Sequence, residues 1–255
     1  MIIHIKSPTR VDLAGGTLDC WPLYSFVGPC WTVNLSIDIF TEVKLSARDD
    51  KKIEVHLRDL SYQKTFSHVK ALQESDDSQV HLIKTCVEYL QPEMGFSLET
   101  HSQSPVGGGL GGSSSLLISL LKAFGQLYAR TWDVSELVNV AHNIEAKLLH
   151  TPTGTQDYFP AACPGLNAIE YSAAGFRLEP LTCDINFFKD HMFLVYTGKP
   201  HHSGINNWQV IKDAVEKKSG ILDTLRGLAE VSQQTKEVCV SGTWEKFPEL
   251  LREEY

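Results

Sequence analysis

Five glycines fall within six residues of the stretch 104–121, whose sequence is SPVGGGLGGSSSLLISLL. Glycine lacks a Cβ and reaches positive φ angles, so such a loop can turn successive main-chain N–H groups toward a polyanion. Three serines and an apolar run follow, which predicts a helix that begins at the serines and directs its unpaired N–H groups at the same loop. Loop and helix end together predict a phosphate site, formed by Pro105, Gly107, Gly108, Gly109, Leu110, Gly111, Gly112, Ser113, Ser114 and Ser115.

Two other interpretations of this stretch are open. A run of glycine and serine is typical of a flexible linker, although this one enters a helical segment without a spacer. Three of the glycines also fit G-x-G-x-x-G, and Asp133 lies near the place of a ribose-binding acid. In a dinucleotide fold, however, the glycines directly follow a strand. Here Pro105 and polar residues intervene, which favours a nucleotide triphosphate over NAD.

Two further segments are rich in polar side chains that could face a ligand. The segment Ser7–Asp19 reads SPTRVDLAGGTLD and is predicted to be rich in turns, although its charged residues could equally form surface ion pairs. Thr151–Gly165 contains three prolines and is predicted to be a rigid loop that carries Gln156 and Asp157.

Composition limits the classes of protein that the chain can represent. It has 255 residues, 42% apolar and 21% charged, which is typical of a globular protein with a substantial core. The formal net charge of −8 argues against nucleic acid as the main partner, because a phosphate backbone requires clustered Lys and Arg. No apolar run is long enough to span a membrane and no signal-peptide layout is present, so we expect a cytoplasmic protein without a membrane partner. Six scattered cysteines without a C-x-x-C pair predict free thiols.

The elements that must position these residues follow from periodicity. Alternating or continuous apolar runs predict strands over 2–6, 33–47, 52–57, 61–66, 95–101, 166–171, 176–181 and 191–196. Helical spacing predicts helices over 79–90, 116–128 and 134–149, with a mostly helical chain beyond Gly204. The second of the three helices follows the glycine loop, and the third carries Glu145 near its end.

Taken together, three separated segments resemble the three-part signature of the GHMP kinases, the family of galactokinase, homoserine kinase, mevalonate kinase and phosphomevalonate kinase. Ser7–Asp19 resembles the substrate motif, Pro105–Ser115 the P-x-G-x-G-L-x-S-S phosphate loop, and Gly154–Tyr158 with Gly165 the loop with the catalytic aspartate. The wording of residues 10–19, RVDLAGGTLD, is most similar to the sugar-kinase branch that contains heptose-phosphate kinase and fucokinase. The resemblance implies an α+β, two-domain GHMP kinase fold, with a ribosomal-protein-like α/β domain followed by a ferredoxin-like domain.

The same resemblance implies roles for individual residues. Asp157 would be the general base, or the charge that orients the acceptor hydroxyl, and Arg10 would lie against it and stabilise the transferring phosphoryl group. Glu145 and Ser113 would bind Mg²⁺, with Ser114 as the alternative if the loop is shifted by one residue. The phosphate loop would bind ATP. The substrate, a sugar or sugar phosphate, would contact Asp12, Gly16, Thr17, Asp19 and Gln156.

The sequence departs from the family pattern in its second half. The glycine-rich motif that the family usually carries near its C-terminus is absent after Gly204, so we expect either a fragment of a longer kinase or a reduced second domain. The expected boundaries are 1–185 for the N-terminal domain and 186–255 for a partial C-terminal domain. His201-His202-Ser203 stands where sugar-kinase relatives often have Arg-Ser-Ser, which puts a basic contact to a substrate phosphate in doubt.

Three hypotheses about function remain at this point. The first is an ATP- and Mg²⁺-dependent kinase that phosphorylates a hydroxyl of a sugar or sugar phosphate. The second is a catalytically silent protein of the same fold that senses nucleotide or sugar, favoured by the missing motif and opposed by the intact Arg10, Glu145 and Asp157. The third is a kinase for a mevalonate-type substrate. The sequence leaves the oligomeric state open.

Overall fold

Seven strands of the computed structural model, which describes residues 1–182, 184–200 and 203–254, form a single sheet. The strands are β1 Ile2–Ala14, β2 Cys30–Arg48, β3 Ile53–Leu57, β4 Tyr62–Phe66, β5 Gly95–Ser102, β6 Leu166–Ser172 and β7 Gly175–Leu181. The ten α-helices within the described ranges are α1 Leu23–Val27, α2 Val69–Gln73, α3 His81–Leu90, α4 Gly112–Leu127, α5 Val134–Leu149, α6 Tyr158–Ala162, α7 Ile185–His191, α8 Ser203–Val215, α9 Ile221–Ser241 and α10 Phe247–Glu253.

The long strand β2 organises the sheet. It pairs antiparallel with β1 along most of its length. Its other edge is divided, because β5 pairs with residues 41–48 and β6 with residues 30–35. Residues 36–40 therefore lie at a break between two groups of strands, β5-β3-β4 on one side and β6-β7 on the other.

Two loops begin or end at this break. The main chain of Gln103, just after β5, donates to the carbonyl of Phe40 at 2.9 Å. The amide of Ser36 donates to the carbonyl of Gly165, just before β6, also at 2.9 Å. The topology thus delivers the glycine loop and the segment 151–165 to the same part of the molecule, although about 50 residues separate them in sequence.

Helix α4 packs across β1 and β2 and supplies much of the core. Its residues Leu117, Ile118, Leu120, Leu121 and Phe124 have no exposed side-chain surface. Burial of each such side chain stabilises the fold by roughly 1.5–3 kcal/mol. Because the apolar face is so extensive, the orientation of the helix, and of its N-terminus at the glycine loop, is fixed by packing against the sheet.

The C-terminal helices also pack on this core. Helix α9 lies against β2, and Lys236 of α9 places its Nζ 3.4 Å from the centre of the Trp31 ring while pairing with Glu179 at 2.8 Å. Within the described part of 186–255 every regular element is helical. The expected division at residue 185 stays a prediction. None of the described helices combines the length and apolar composition that a membrane crossing requires.

Most predicted elements agree with the structure, and three differ. The strand predicted over 191–196 is wrong: residues 192–196 pair with no strand in the described part of the chain, and Phe193 is 89% exposed. The segment Ser7–Asp19 is less rich in turns than expected, because β1 continues to Ala14. Helix α6 forms inside the predicted loop 151–165. A short apolar run fits a strand by pattern alone, but only a neighbouring strand can supply the hydrogen bonds.

Candidate active site

The glycine loop adopts the backbone conformation that only glycine favours. Gly107, Gly109 and Gly111 have φ angles of +68°, +74° and +66°. A Cβ at Gly108 would lie 3.0 Å from the carbonyl oxygen of Pro105, closer than van der Waals contact allows. Main-chain groups of the loop are therefore not shielded by side chains, which is the property that phosphate binding requires.

Helix α4 begins at the end of this loop, at Gly112, one residue before the predicted serines. Gly111 is its N-cap and offers no side chain to satisfy the first N–H groups. These groups and the partial positive charge of the helix end, roughly half an elementary charge, face the loop. A bound anion could accept their hydrogen bonds.

Arg10 and Asp157 form the central ion pair. The Asp157 Oδ1 atom accepts from Arg10 Nε at 3.0 Å and from Nη2 at 2.7 Å. The remaining Arg10 nitrogen, Nη1, donates to the carbonyl of Gly109 at 2.7 Å. Despite burial, the neighbouring carboxylates Asp157 and Asp12 raise the pKa of Arg10 above its already high value, so the guanidinium stays charged.

The Asp157 carboxylate lies against the glycine loop. A Cβ at Gly111 would stand 3.3 Å from Asp157 Oδ2, and the Asp157 side chain is 27% exposed. The carboxylate thus contacts the loop and is partly exposed. We call the region between the glycine loop, Asp157 and the turn Gly15–Thr17 the cleft. The structure brings Arg10, Asp157 and the start of α4 together, as the sequence predicted.

Glu145 lies deeper, below the start of α4. Only 6% of the residue is exposed, and its Oε2 atom accepts from Ser114 Oγ at 3.0 Å and from the Tyr158 hydroxyl. Burial raises the pKa of Glu145, while the hydrogen bonds from Tyr158, Ser113 and Ser114 oppose the shift. Ser114 is buried and Ser113 is exposed, and both candidate serines hydrogen-bond to the carboxylate.

This group of oxygens fits Mg²⁺. A carboxylate and hydroxyl oxygens are the hard ligands that Mg²⁺ prefers, and an ion shared with phosphates commonly takes only one or two protein ligands. Glu145 Oε2 accepts hydrogen bonds from Ser114 and Tyr158, which hold the carboxylate beside the start of α4. In the described ranges, no cluster of three or more His, Cys, Asp or Glu side chains suited to a metal is present.

Buried hydrogen bonds hold the loop that carries Asp157. Asp19 is 4% exposed and its Oδ2 atom accepts from the amide of Gln156 at 3.0 Å. The Gln156 carbonyl accepts from Asn34 at 3.3 Å, and the Thr153 carbonyl lies 3.0 Å from Nε2 of His142. Asp19, predicted to contact the substrate, therefore faces the loop, and burial raises its pKa to about 6.

The turn at Gly15–Thr17 forms the other wall of the cleft. Gly15 has a φ of +82°, and a Cβ there would lie 2.9 Å from the Ser232 Cβ. The Gly15 amide donates to Oε1 of Glu254 at 2.8 Å. Thr17 has a φ of +78°, a left-handed conformation that is costly for a β-branched residue. Such strain persists only where the surrounding structure enforces it.

Several residues that the sequence suggested for the site have other contacts or lie outside the described part of the chain. Ser115 is fully buried and its hydroxyl donates to the Pro8 carbonyl at 2.9 Å, so the side chain is turned away from the cleft. Its hydroxyl therefore joins α4 to β1 and is not placed to contact a cofactor. Asp133 is the N-cap of α5 in a capping box with Glu136, which removes it as a ribose-binding acid. His201 and His202 lie outside the described residues.

Sequence reasoning missed Tyr158, His142 and Glu254. Tyr158 directly follows Asp157 and its hydroxyl reaches Glu145, so a search for polar neighbours of the aspartate could have found it. His142 stands three residues before Glu145, one helical turn away on the same face of α5. Glu254 reaches the Gly15 turn only through the packing of the C-terminal helices, for which the sequence carries no local signal.

Comparison with known proteins finds similarity to the GHMP kinases over part of the chain. Residues 81–165 match the family model for the GHMP kinases N terminal domain. The chain is similar to D-glycero-alpha-D-manno-heptose 7-phosphate kinase of Campylobacter jejuni, with 29% identity over 66% of the chain and 50% of the relative. It is also similar to L-fucokinase/L-fucose-1-P guanylyltransferase of Bacteroides fragilis, with 27% identity over 75% of the chain and 22% of the relative.

A solved structure shows the same fold. The D-glycero-D-manno-heptose 1-phosphate kinase from Bacteroides thetaiotaomicron superposes with a TM-score of 0.77 and 22% identity, covering 98% of this chain and 76% of that one. The chain spans half or less of the length of the two curated relatives described above. The resemblance and the mixed α/β fold predicted from it are confirmed, while the division into two domains stays a prediction.

Proposed function

We propose, from the match of residues 81–165 to the model for the GHMP kinases N terminal domain, that the chain transfers the γ-phosphoryl group of ATP to a hydroxyl of a sugar or sugar phosphate. The observation that carries this proposal is the position of the Arg10–Asp157 pair directly against the glycine loop. A phosphate donor on the loop and an acceptor hydroxyl at Asp157 would be neighbours.

The residues of the cleft then have distinct tasks. Main-chain N–H groups of the loop and of the α4 start bind the triphosphate and hold its end group in line with the acceptor. Asp157 accepts the proton of the attacking hydroxyl, or orients that hydroxyl without taking the proton. Arg10 pairs with Asp157 and adds positive charge beside the transferring group.

Glu145, Ser113 and Ser114 would hold Mg²⁺ in this proposal. When bound, the ion would neutralise charge on the phosphates of ATP. Tyr158 and Ser114 fix the Glu145 carboxylate in one orientation through their hydrogen bonds to Oε2. The cytoplasmic location and the absence of a nucleic-acid partner stay predictions from the sequence.

Replacement of Asp157 tests the proposal. ADP release is measured with a panel of sugars and sugar phosphates for the wild-type chain, for Asp157→Asn and for Asp59→Asn. Asp59 is an exposed aspartate in the turn between β3 and β4 and serves as the matched control. We expect Asp157→Asn to lose on the order of 10²–10⁴-fold in turnover, and the control to lose none.

Two results would contradict the proposal at different levels. Unchanged turnover in Asp157→Asn would remove the assigned role of this carboxylate while the kinase activity stands. ADP release by the wild-type chain that no member of the panel stimulates would remove the kinase activity itself.

A further inference from the structure

The acceptor side of the cleft, which we define as Asp12, the turn Gly15–Thr17, Gln156, Asp157 and Glu254, has an excess of carboxylates. Asp12 lies 2.9 Å from Arg10, and a third of its side chain is exposed to the cleft. Burial raises the pKa of Asp12 against the opposing effect of Arg10, and the negative charges of Asp157, Asp19 and Glu254 add to the increase. The carboxylates of this side thus repel one another.

Arg10 is the one cation that pairs with these carboxylates in the described ranges. Nε and Nη2 contact Asp157, Nε also contacts Asp12, and Nη1 donates to the Gly109 carbonyl. A second anion on the acceptor would therefore share this one guanidinium with two carboxylates.

The main-chain turn that could bind an anion here is also occupied. The Gly15 amide donates to Glu254 Oε1 at 2.8 Å, and the Gly16 amide contributes to the same carboxylate. Two consecutive amides of this kind are suited to a phosphate oxygen. In this protein they are satisfied by a carboxylate from the residue after α10, whose Oε2 atom is buried and has no hydrogen-bond partner.

Gln156 provides an independent observation about the ligand. Its residue surface is only 6% exposed, yet Oε1 of its side chain has no hydrogen-bond partner. The amide end is directed at the turn, since a Cβ at Gly16 would lie 3.6 Å from Nε2. A buried amide oxygen without a hydrogen-bond partner destabilises the folded protein unless a ligand donates to it. A neutral amide beside carboxylates matches hydroxyl groups, which donate and accept.

We propose that the acceptor is an unphosphorylated, uncharged sugar, and that the acidic acceptor side excludes sugar phosphates. This inference rests on the proposed kinase function and deepens it. The carboxylates and the Gln156 amide bind sugar hydroxyls, whereas a phosphate dianion on the acceptor meets like charges at short range. Specificity then comes from repulsion of the wrong substrate as well as from contacts to the right one.

Paired substrates test the inference. Each free sugar of the panel is compared with its own phosphate ester, at fixed ATP and Mg²⁺, through ADP release by the full chain. We expect kcat/KM for a free sugar to exceed that for its ester by at least about 100-fold. A preference for the ester would overturn the inference while leaving the kinase activity intact. A panel in which neither form stimulates ADP release would instead overturn the proposed function.

A charge variant shows whether repulsion is the cause. Glu254→Gln keeps an acceptor for the Gly15 amide and removes one negative charge, so the ratio of free sugar to ester should fall by roughly tenfold. Glu253→Gln, an exposed neighbour on α10, is the matched control and should leave the ratio unchanged. Thermal unfolding confirms that both variants are folded. An unaltered ratio in folded Glu254→Gln would contradict the repulsion by this carboxylate.

Discussion

Gly154 is the position at which one added methyl group should disturb the cleft most. A Cβ at residue 154 would lie 2.8 Å from Oδ1 and 2.6 Å from Cγ of Asp19, and closer still to Oδ2. Non-bonded carbon atoms and their neighbours separate at about 3.5–4.0 Å, so Gly154→Ala must move either Asp19 or the loop by roughly 1 Å. Asp19 is buried and holds the Gln156 amide, and the loop leads directly to Asp157.

The size of the effect follows from these contacts. Overpacking of a buried site typically costs about 1–3 kcal/mol of unfolding free energy. A displacement of about 1 Å at a reacting group can lower turnover on the order of 10²-fold. We therefore expect Gly154→Ala to fold, with a lower urea midpoint, and to release ADP on the order of 100 times more slowly with a responsive sugar.

A control separates this contact from a general effect of glycine replacement. Gly227 lies within α9, and a Cβ there would meet no atom within 4 Å. Gly227→Ala should keep turnover and gain up to about 1 kcal/mol of stability from helix propensity. Wild-type turnover and stability in Gly154→Ala would refute the reasoning, because the loop would then tolerate a displacement that the structure forbids.

Three further changes have defined outcomes. Burial raises the pKa of Asp19 from 3.8 to about 6. The native state therefore binds the Asp19 proton more tightly than the unfolded chain does. The contribution of Asp19 to the free energy of unfolding should fall by about 3 kcal/mol as the pH rises from about 4 to 6. In urea titrations at several pH values, the free energy of unfolding should change less with pH for Asp19→Asn than for the wild type. The same pH dependence in both proteins would contradict this prediction. Tyr158→Phe removes a hydrogen bond to Glu145, so it should lower the free energy of unfolding by about 1–3 kcal/mol. It should also raise the Mg²⁺ concentration for half-maximal turnover, and an unchanged concentration would contradict a role of Glu145 in binding the ion. Ser115→Ala leaves the Pro8 carbonyl without its donor, so it should lower stability by about 1–3 kcal/mol with KM for ATP unchanged; a raised KM would return Ser115 to the cofactor site.

The local elements of this fold could be read from the sequence. The helix over 134–149 agrees residue for residue, and the strands around the turns at 49–51 and 173–174 lie within three residues of their predicted bounds. Side-chain periodicity reports which face is buried, and turn residues report where the chain reverses. The strand expected over 191–196 failed, because pairing depends on a partner that periodicity does not encode.

The candidate site was predictable as far as its residue types were tied to motifs. The glycines were predicted from what phosphate binding requires, and Arg10, Glu145 and Asp157 from the resemblance of three segments to the GHMP kinase motifs; their roles stay predictions. The pairing of Arg10 with both Asp157 and the Gly109 carbonyl needed the structure. The structure was also needed to show that Ser115 and Asp19 are turned away from the cleft, because neighbours in sequence can face opposite sides of a helix or loop.

The sequence by itself determined which chemistry the chain can support: a side-chain-free loop at a helix start, a carboxylate on a loop and the strands and helices that carry them. Tertiary structure alone decided how these parts meet. The divided edge of β2 brings two distant loops together, and the packing of the C-terminal helices places Glu254 on the Gly15 turn. Local propensity acts over a few residues, whereas the charge and shape of a cleft depend on contacts between residues more than 200 positions apart.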